Sequence, residues 1–315
     1  MPARNEIQNE ILSAKNTAQD DVRRKYIKQL SEYTGRDTII YITAYTTGKM
    51  LAIPPSLVSI VNDDIHGFMS ALNGLKNDKL DLIIHSPGGT VEATEQIVNY
   101  LRAKYKHIRA IIPQSAMSAA TMLACACDEI VMGKHSAIGP IDPQITFPTQ
   151  TGLFTAPAQS LLSEFEQAKA EVIANPNVAP IWVSKLKNLP HGILDICKNT
   201  TDLSIEKVKL WLCSFMFKNE PDCDVKANKI ATWLGTASNH KTHGRPIPLN
   251  IAKDQGLKIV ELESDQELQD KVLSVFHSSI VTIEVTNCIK LIENQNGIGT
   301  YIQVQVNLNP KQPSN

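Results

Sequence analysis

Residues 80–133 read LDLIIHSPGGTVEATEQIVNYLRAKYKHIRAIIPQSAMSAATMLACACDEIVMG, and strand and helix patterns alternate along them. LDLIIHS is a short continuous apolar strand, PGG a tight turn and TVEATEQIVNYLRAKY an amphipathic helix. HIRAIIP follows as a second strand, SAATMLACAC as a helix of small residues and DEIVMG as a third strand. Strands that are apolar on both faces and separated by helices predict a parallel sheet buried under helices, joined by right-handed crossovers. The expected fold class is therefore α/β, a layered structure around a mostly parallel sheet.

Upstream, apolar positions at helical spacing run from about Glu6 to Tyr33 and stop at Thr34-Gly35. TIIYITAY is a strand, and a helix is predicted from about His66 to Leu75. Downstream of Gly139-Pro140, ITFPTQTGLFTAP reads as a loop, APAQSLLSEFEQAKAEVIANP as a helix, and residues 180–235 as mainly helical. The tail SSIVTIEVTNCIKLIENQNGIGTYIQVQVNL alternates with turn residues between, which predicts a C-terminal β-hairpin. The organisation expected is an N-terminal helical extension (1–35), one core domain with helical insertions (36–265), and a helix and hairpin extension (266–315).

Composition narrows the function classes. A net charge of -1 with no long basic run gives no electrostatic reason to expect nucleic acid. No apolar stretch is long enough for a membrane span, and the N-terminus is too polar for a secretory signal, so a soluble cytoplasmic protein is expected. The six cysteines are scattered without any C-x-x-C, which predicts reduced, buried thiols and no zinc; no metal or cofactor is expected.

In a parallel α/β sheet ligands gather at the carboxyl ends of the strands. Here one strand ends in HSPGGT, where Gly88 and Gly89 leave backbone N–H groups accessible. The next hands over to a helix at Ser118, and its successor Ala119 offers an N–H where the helix dipole favours negative charge. Ser118 is either a helix cap or a nucleophile; beside glycine-turn amides it favours a hydrolase with an oxyanion hole built from Gly88 or Gly89 and Ala119.

The runs LDLIIHSPGGTVEATEQIVNYLRA, IPQSAMSAATMLA and DEIVMGKHSAIGPIDPQ closely resemble the serine dehydrogenase proteinase family, relatives of ClpP and the signal peptide peptidase SppA. The resemblance covers about residues 36–265 and is most specific from HSPGG to GPIDPQ. It implies a Clp/crotonase-like fold, serine peptidase activity on polypeptide and a homo-oligomer, with Ser118 as nucleophile and the Gly88-Gly89 turn and Ala119 as oxyanion donors.

A serine hydroxyl needs a base within hydrogen-bond reach. Lys169 stands at helical spacing with Leu162, Phe165 and Val172, so it is expected to interrupt a buried stripe that would depress its pKa; SppA-like enzymes place a lysine at a comparable distance. His243, in the polar loop segment THGRPI, competes with it, and a matching Thr-His segment recurs in the family it resembles. His240, His85 and His135 are weaker alternatives. Asp142, held between Pro140 and Pro143 in GPIDPQ, either orients a base or caps a helix. The absence of a G-x-x-x-x-G-K-[ST] motif leaves energy-dependent unfolding to a separate ATPase partner. Two other functions share the expected architecture: a crotonase-like acyl-CoA enzyme and a non-catalytic oligomeric scaffold.

Overall fold

The computed structural model describes residues 7, 18–149 and 152–304. In chain order it contains α1 (Ala18–Thr34), β1 (Asp37–Thr43), α2 (Asp64–Ala71), β2 (Lys79–His85), α3 (Val91–Lys104) and β3 (His107–Ile112). Then come β4 (Ser115–Ala116), α4 (Ala119–Cys125), β5 (Glu129–Met132), β6 (Ala137–Ile138), β7 (Gln144–Thr149) and β8 (Gly152–Pro157). The helices α5 (Ala158–Ala174), α6 (Ala179–Leu186), α7 (Ile193–Trp211), α8 (Cys223–Gly235) and α9 (Ala237–His240) precede β9 (Ile247–Pro248) and α10 (Leu249–Asp254). The chain continues through β10 (Ile259–Glu261), α11 (Gln266–Val285), β11 (Cys288–Asn294) and β12 (Gly299–Gln303).

Seven strands form the central sheet in the order β10-β5-β3-β2-β1-β11-β12. The run from β10 to β1 is parallel, and the hairpin β11-β12 closes it antiparallel against β1. Successive side chains on a strand point to opposite faces, and both faces here are covered. Ile39, Tyr41, Leu82, Ile84, Ala110 and Ile112 enter one core with α2, α3, α4, α7 and α8. Ile40, Ile42, Ile83, Ile111 and Val131 enter a second core beneath α1 and α11. That two-sided burial is why the strands read as unbroken apolar runs.

The crossover after β2 explains itself locally. The Thr90 side chain accepts from Ala93 N–H at 3.3 Å and caps α3, and Ala93, Ile97, Val98 and Leu101 present one buried stripe. The α4 helix is buried at every position, which only small or apolar residues permit. A second, three-stranded sheet, β4-β6-β9, stands at the carboxyl end of β2 and β3. It joins the central sheet through a parallel bridge between Ser86 and Ala116.

Three expectations need correction, and part of a fourth lies outside the described residues. The segment expected as a loop after Gly139 is the antiparallel hairpin β7-β8, in register from Gln144 with Pro157 to Thr149 with Gly152. Cys213 and Cys223 are joined in a disulfide, because the reversal between α7 and α8 brings their Cα atoms to 5.0 Å; Cys125, Cys127, Cys197 and Cys288 are free and buried. The helix predicted from His66 to Leu75 begins two residues earlier and ends at Ala71. Of the N-terminal helical run only Ile7 and the part from Ala18 onward fall within the described residues. No helix among the described residues is long and apolar enough to cross a membrane.

His85 terminates β2 inside the protein. It is fully buried, with Nε2 2.9 Å from Thr46 Oγ1 and its ring packed 4.6 Å from Tyr45 and 5.0 Å from Phe276. Burial disfavours the imidazolium and pulls the His85 pKa down to about 3. A lowered histidine pKa means that the unfolded chain binds the proton first. The stability contribution is therefore complete above the unfolded value of 6.5 and is lost progressively as pH falls from there toward 3. Urea unfolding of wild type and His85→Gln between pH 7 and 4.5 should show their stability difference shrinking by about 1.4 kcal/mol per pH unit below 6.5. A pH-independent difference would contradict this account of His85.

Candidate active site

The turn after β2 is fixed on two sides. On one, Met117 N–H donates to Ser86 O at 2.9 Å and Ser86 N–H to Ser115 O at 3.2 Å, so the turn is laced to β4. On the other, Ile60 N–H donates to Gly88 O at 2.7 Å and Thr90 N–H to Ile60 O at 3.0 Å, giving a parallel bridge between Ile60 and Gly89. A Cβ on Gly89 would collide with the Ile60 backbone. Gly88 adopts φ +97°, and a Cβ there would stand 2.5 Å from Met117 O, 2.7 Å from Ser118 Cβ and 2.8 Å from Ala119 N. Both glycines are thus required by close backbone approach, and Gly88 by its conformation as well.

Ser118 occupies the strand-to-helix junction with φ 51° and ψ -122°, a region that residues with a side chain rarely enter. Its side chain makes no capping hydrogen bond to α4, which answers the question of whether it is merely a cap. Ser118 is half-buried, so its hydroxyl is neither sealed in the core nor fully in bulk water. The N–H of Ala119, at the first position of α4, has no protein acceptor among the described residues, and neither has the N–H of exposed Gly89. Gly88 differs: its N–H donates to Ser86 Oγ at 3.2 Å. Two unengaged amides therefore stand at the glycine turn and at the serine junction, one from each crossover.

The small sheet brings the acid and base candidates together. Gly139 follows β6 and packs directly on Met117, with its N–H donating to Thr121 Oγ1 at 2.9 Å. Asp142 comes three residues later and is buried. His243 lies in the loop before β9, which pairs with β6. The two meet across 101 residues of chain, His243 Nδ1 to Asp142 Oδ1 at 2.9 Å, and Gln144 Nε2 donates to the other Asp142 oxygen at 2.9 Å. Asp142 is therefore a histidine partner and not a helix cap. With Nδ1 engaged, Nε2 is the remaining nitrogen of a ring that is one-quarter exposed. A cleft of about 640 Å³ opens beside the pair, bounded among others by Ser160, Ser163, Glu164, Gln167 and Lys241.

The other basic candidates are engaged elsewhere. Lys169 does not sit in a buried stripe: its side chain is half exposed and its Nζ lies 2.8 Å from a Glu166 carboxylate oxygen. The buried face of α5 runs through Ala158, Leu161 and Ala168, because this helix packs on α7 and β8 and its last turn stands in solvent. The burial expected of Lys169 is absent. His240 Nε2 is held by Trp233 O at 2.8 Å and His135 Nε2 by Pro113 O at 2.9 Å, and His85 belongs to the core. Sequence reasoning did not single out Ser86, Ile60 or Gln144. Only Ser86 carried a signal, as the hydroxyl two residues before the Gly88 amide that it accepts from.

Residues 11–282 match the ClpP-like SDH-type serine proteinase family. Two curated proteins of Methanocaldococcus jannaschii are similar: uncharacterized protein MJ0137, 30% identical over 243 residues, covering 75% of this chain and 73% of that one, and uncharacterized protein MJ1495, 28% identical over 240 residues, covering 75% and 71%. Among solved structures, a mutant of the 1510-N membrane-bound stomatin-specific protease superposes with a TM-score of 0.41 at 15% identity, covering 79% of this chain and 89% of that one. That superposition is too loose to carry residue roles across. The match over most of the length, on the fold described above, makes this chain a member of the ClpP-like SDH-type serine proteinase family, within the ClpP/SppA-like serine peptidase clan.

Proposed function

We propose that the protein is a serine peptidase that cleaves polypeptide through an acyl-enzyme on Ser118, with His243 as general base and Asp142 orienting it. The observation that carries the reading is the 2.9 Å bond between His243 Nδ1 and Asp142, which leaves Nε2 as the proton acceptor. In this reading Ser118 Oγ attacks the scissile carbonyl while His243 Nε2 removes its proton, and buried Asp142 stabilises the imidazolium that results. The Gly89 and Ala119 amides receive the developing oxyanion; the Gly88 amide is spent on Ser86, and Gly88 instead supplies the space that lets Ser118 approach. His243 then protonates the departing amine, and water, deprotonated by the same imidazole, hydrolyses the ester.

The strained backbone of Ser118 supports the same assignment, since a serine that served only as a cap has no need of φ 51°. Assembly into a homo-oligomer, a cytoplasmic location and work beside a separate ATPase on folded substrates belong to the proposal as well. An acyl-CoA enzyme would share the paired amides but would leave a His243–Asp142 couple without a task.

A fluorophosphonate probe should label the wild-type protein at Ser118, read by peptide mass spectrometry, and Ser118→Ala should abolish the adduct. An unlabelled wild type would sink the proposal. His243→Ala should slow labelling by on the order of 10³-fold, whereas Lys169→Met should leave the rate within about twofold, the range of a surface change. The reverse ranking would return the base to Lys169. Gly89→Ala, which drives a Cβ into the Ile60 backbone and displaces the amide, should lower kcat on a peptide ester by roughly 10²-fold or more.

A further inference from the structure

Lys290, on β11, is fully buried and shares its ammonium between Asp64 and a backbone carbonyl. Its Nζ donates to Asp64 Oδ1 at 2.8 Å and Oδ2 at 2.9 Å, and to Ser59 O at 2.7 Å. Asp64, buried at the start of α2, accepts two further bonds at Oδ2, from Tyr41 Oη at 2.7 Å and from Val61 N–H at 3.1 Å. The pair thus grips the backbone on both sides of one residue, at Ser59 O and at Val61 N. The residue between them is Ile60, whose N–H and C=O hold Gly88 O and Thr90 N–H around the Gly89 amide.

Burying two charges is costly, and a buried ion pair is poor support for stability as such, since apolar replacement is often neutral or better. What such a pair can supply instead is a specified local geometry. Ile60 belongs to no strand of either sheet, so nothing in the sheets themselves sets its depth against the glycine turn. We infer that Lys290 and Asp64 are positioning residues for the oxyanion amide: by clamping residues 59–61 they hold Ile60 against the Gly88-Gly89 turn and thereby aim the Gly89 N–H. The inference rests on the serine peptidase reading for its catalytic consequence, but its structural half stands apart from that reading. The C-terminal hairpin, far from the site in sequence, becomes part of the machinery through Lys290.

The test uses the full-length protein with the neutral double variant Lys290→Met/Asp64→Asn, which removes both charges together at little change of shape. Asp64→Asn alone, which leaves the Lys290 ammonium buried without its counter-charge, provides a harsher second variant. Two quantities are read: amide hydrogen exchange at Ile60 and Thr90, and steady-state kinetics on a peptide thioester. Expected are exchange at those two amides at least about tenfold faster than in wild type, relative to the sheet as a whole, and kcat lower by on the order of 10²-fold with KM within about twofold. Asp64→Asn should shift both in the same direction by at least as much. Exchange that rises no more at Ile60 and Thr90 than across the sheet overturns the inference, as does an unchanged kcat in a folded variant with a loosened turn. Should wild type neither turn over the thioester nor take up a fluorophosphonate at Ser118, the peptidase reading fails instead. The exchange at Ile60 and Thr90 then decides the clamp by itself, acceleration upholding it and its absence overturning it.

Discussion

The contact between Gly88 and the Ser118–Ala119 junction is the constraint from which the rest of the site follows. With a Cβ position only 2.7 Å from Ser118 Cβ and 2.8 Å from Ala119 N, no side chain fits between the two crossovers. Because β2 and β3 are parallel neighbours, their carboxyl ends deliver the glycine turn and the serine junction side by side. Any outward shift of the turn by the width of a methyl group would separate the amides of the turn and the serine junction. The sheet sets the coarse placement, and the Ser86–Ala116 and Ile60–Gly89 bridges set the fine one.

Elsewhere the protein sets buried charged groups in pairs. Arg23 and Glu293 meet at 2.8 Å with both side chains fully buried, and Lys290 and Asp64 do the same on the other side of the hairpin. Both pairs tie β11 to elements from the first quarter of the chain, so the antiparallel hairpin is fastened to the parallel sheet by charge as well as by its ladder with β1. A low-dielectric interior makes such pairs expensive to break and specific in geometry. The His243–Asp142 couple is built differently, with the carboxylate buried and the ring partly exposed, which suits a group that exchanges protons with a substrate.

Much of this was legible in the sequence wherever the determining interaction is local. The alternation over residues 80–133 specifies β2-α3-β3 and β5, and Thr90 marks the start of α3. The paired glycines announce a close approach, and the proline-flanked Asp142 a rigid carboxylate. Non-local facts were not legible. Helical spacing aligns Leu162, Phe165, Lys169 and Val172, yet it does not say which side of α5 meets the protein; packing on α7 chose another face and left Lys169 in solvent. The β7-β8 hairpin escaped because Pro148 and Pro157 argue against a strand and the adjacent Leu153 and Phe154 interrupt the alternation in β8. The Cys213–Cys223 bond depends on the approach of two helix ends, and the partner of Gly89 on a segment 29 residues upstream that belongs to neither sheet.

The central claim is one of aim: that the Ser118 hydroxyl and the Gly89 and Ala119 amides converge on a single acyl carbon. A crystal structure of the protein after reaction with a peptidyl phosphonate measures this directly, because the tetrahedral phosphorus stands where that carbon would be. The account predicts a Ser118 Oγ–phosphorus bond and one phosphonyl oxygen within about 3.1 Å of both amide nitrogens, with His243 Nε2 beside the ester oxygen. A phosphonyl oxygen turned to solvent, with those two amides unengaged, would contradict it.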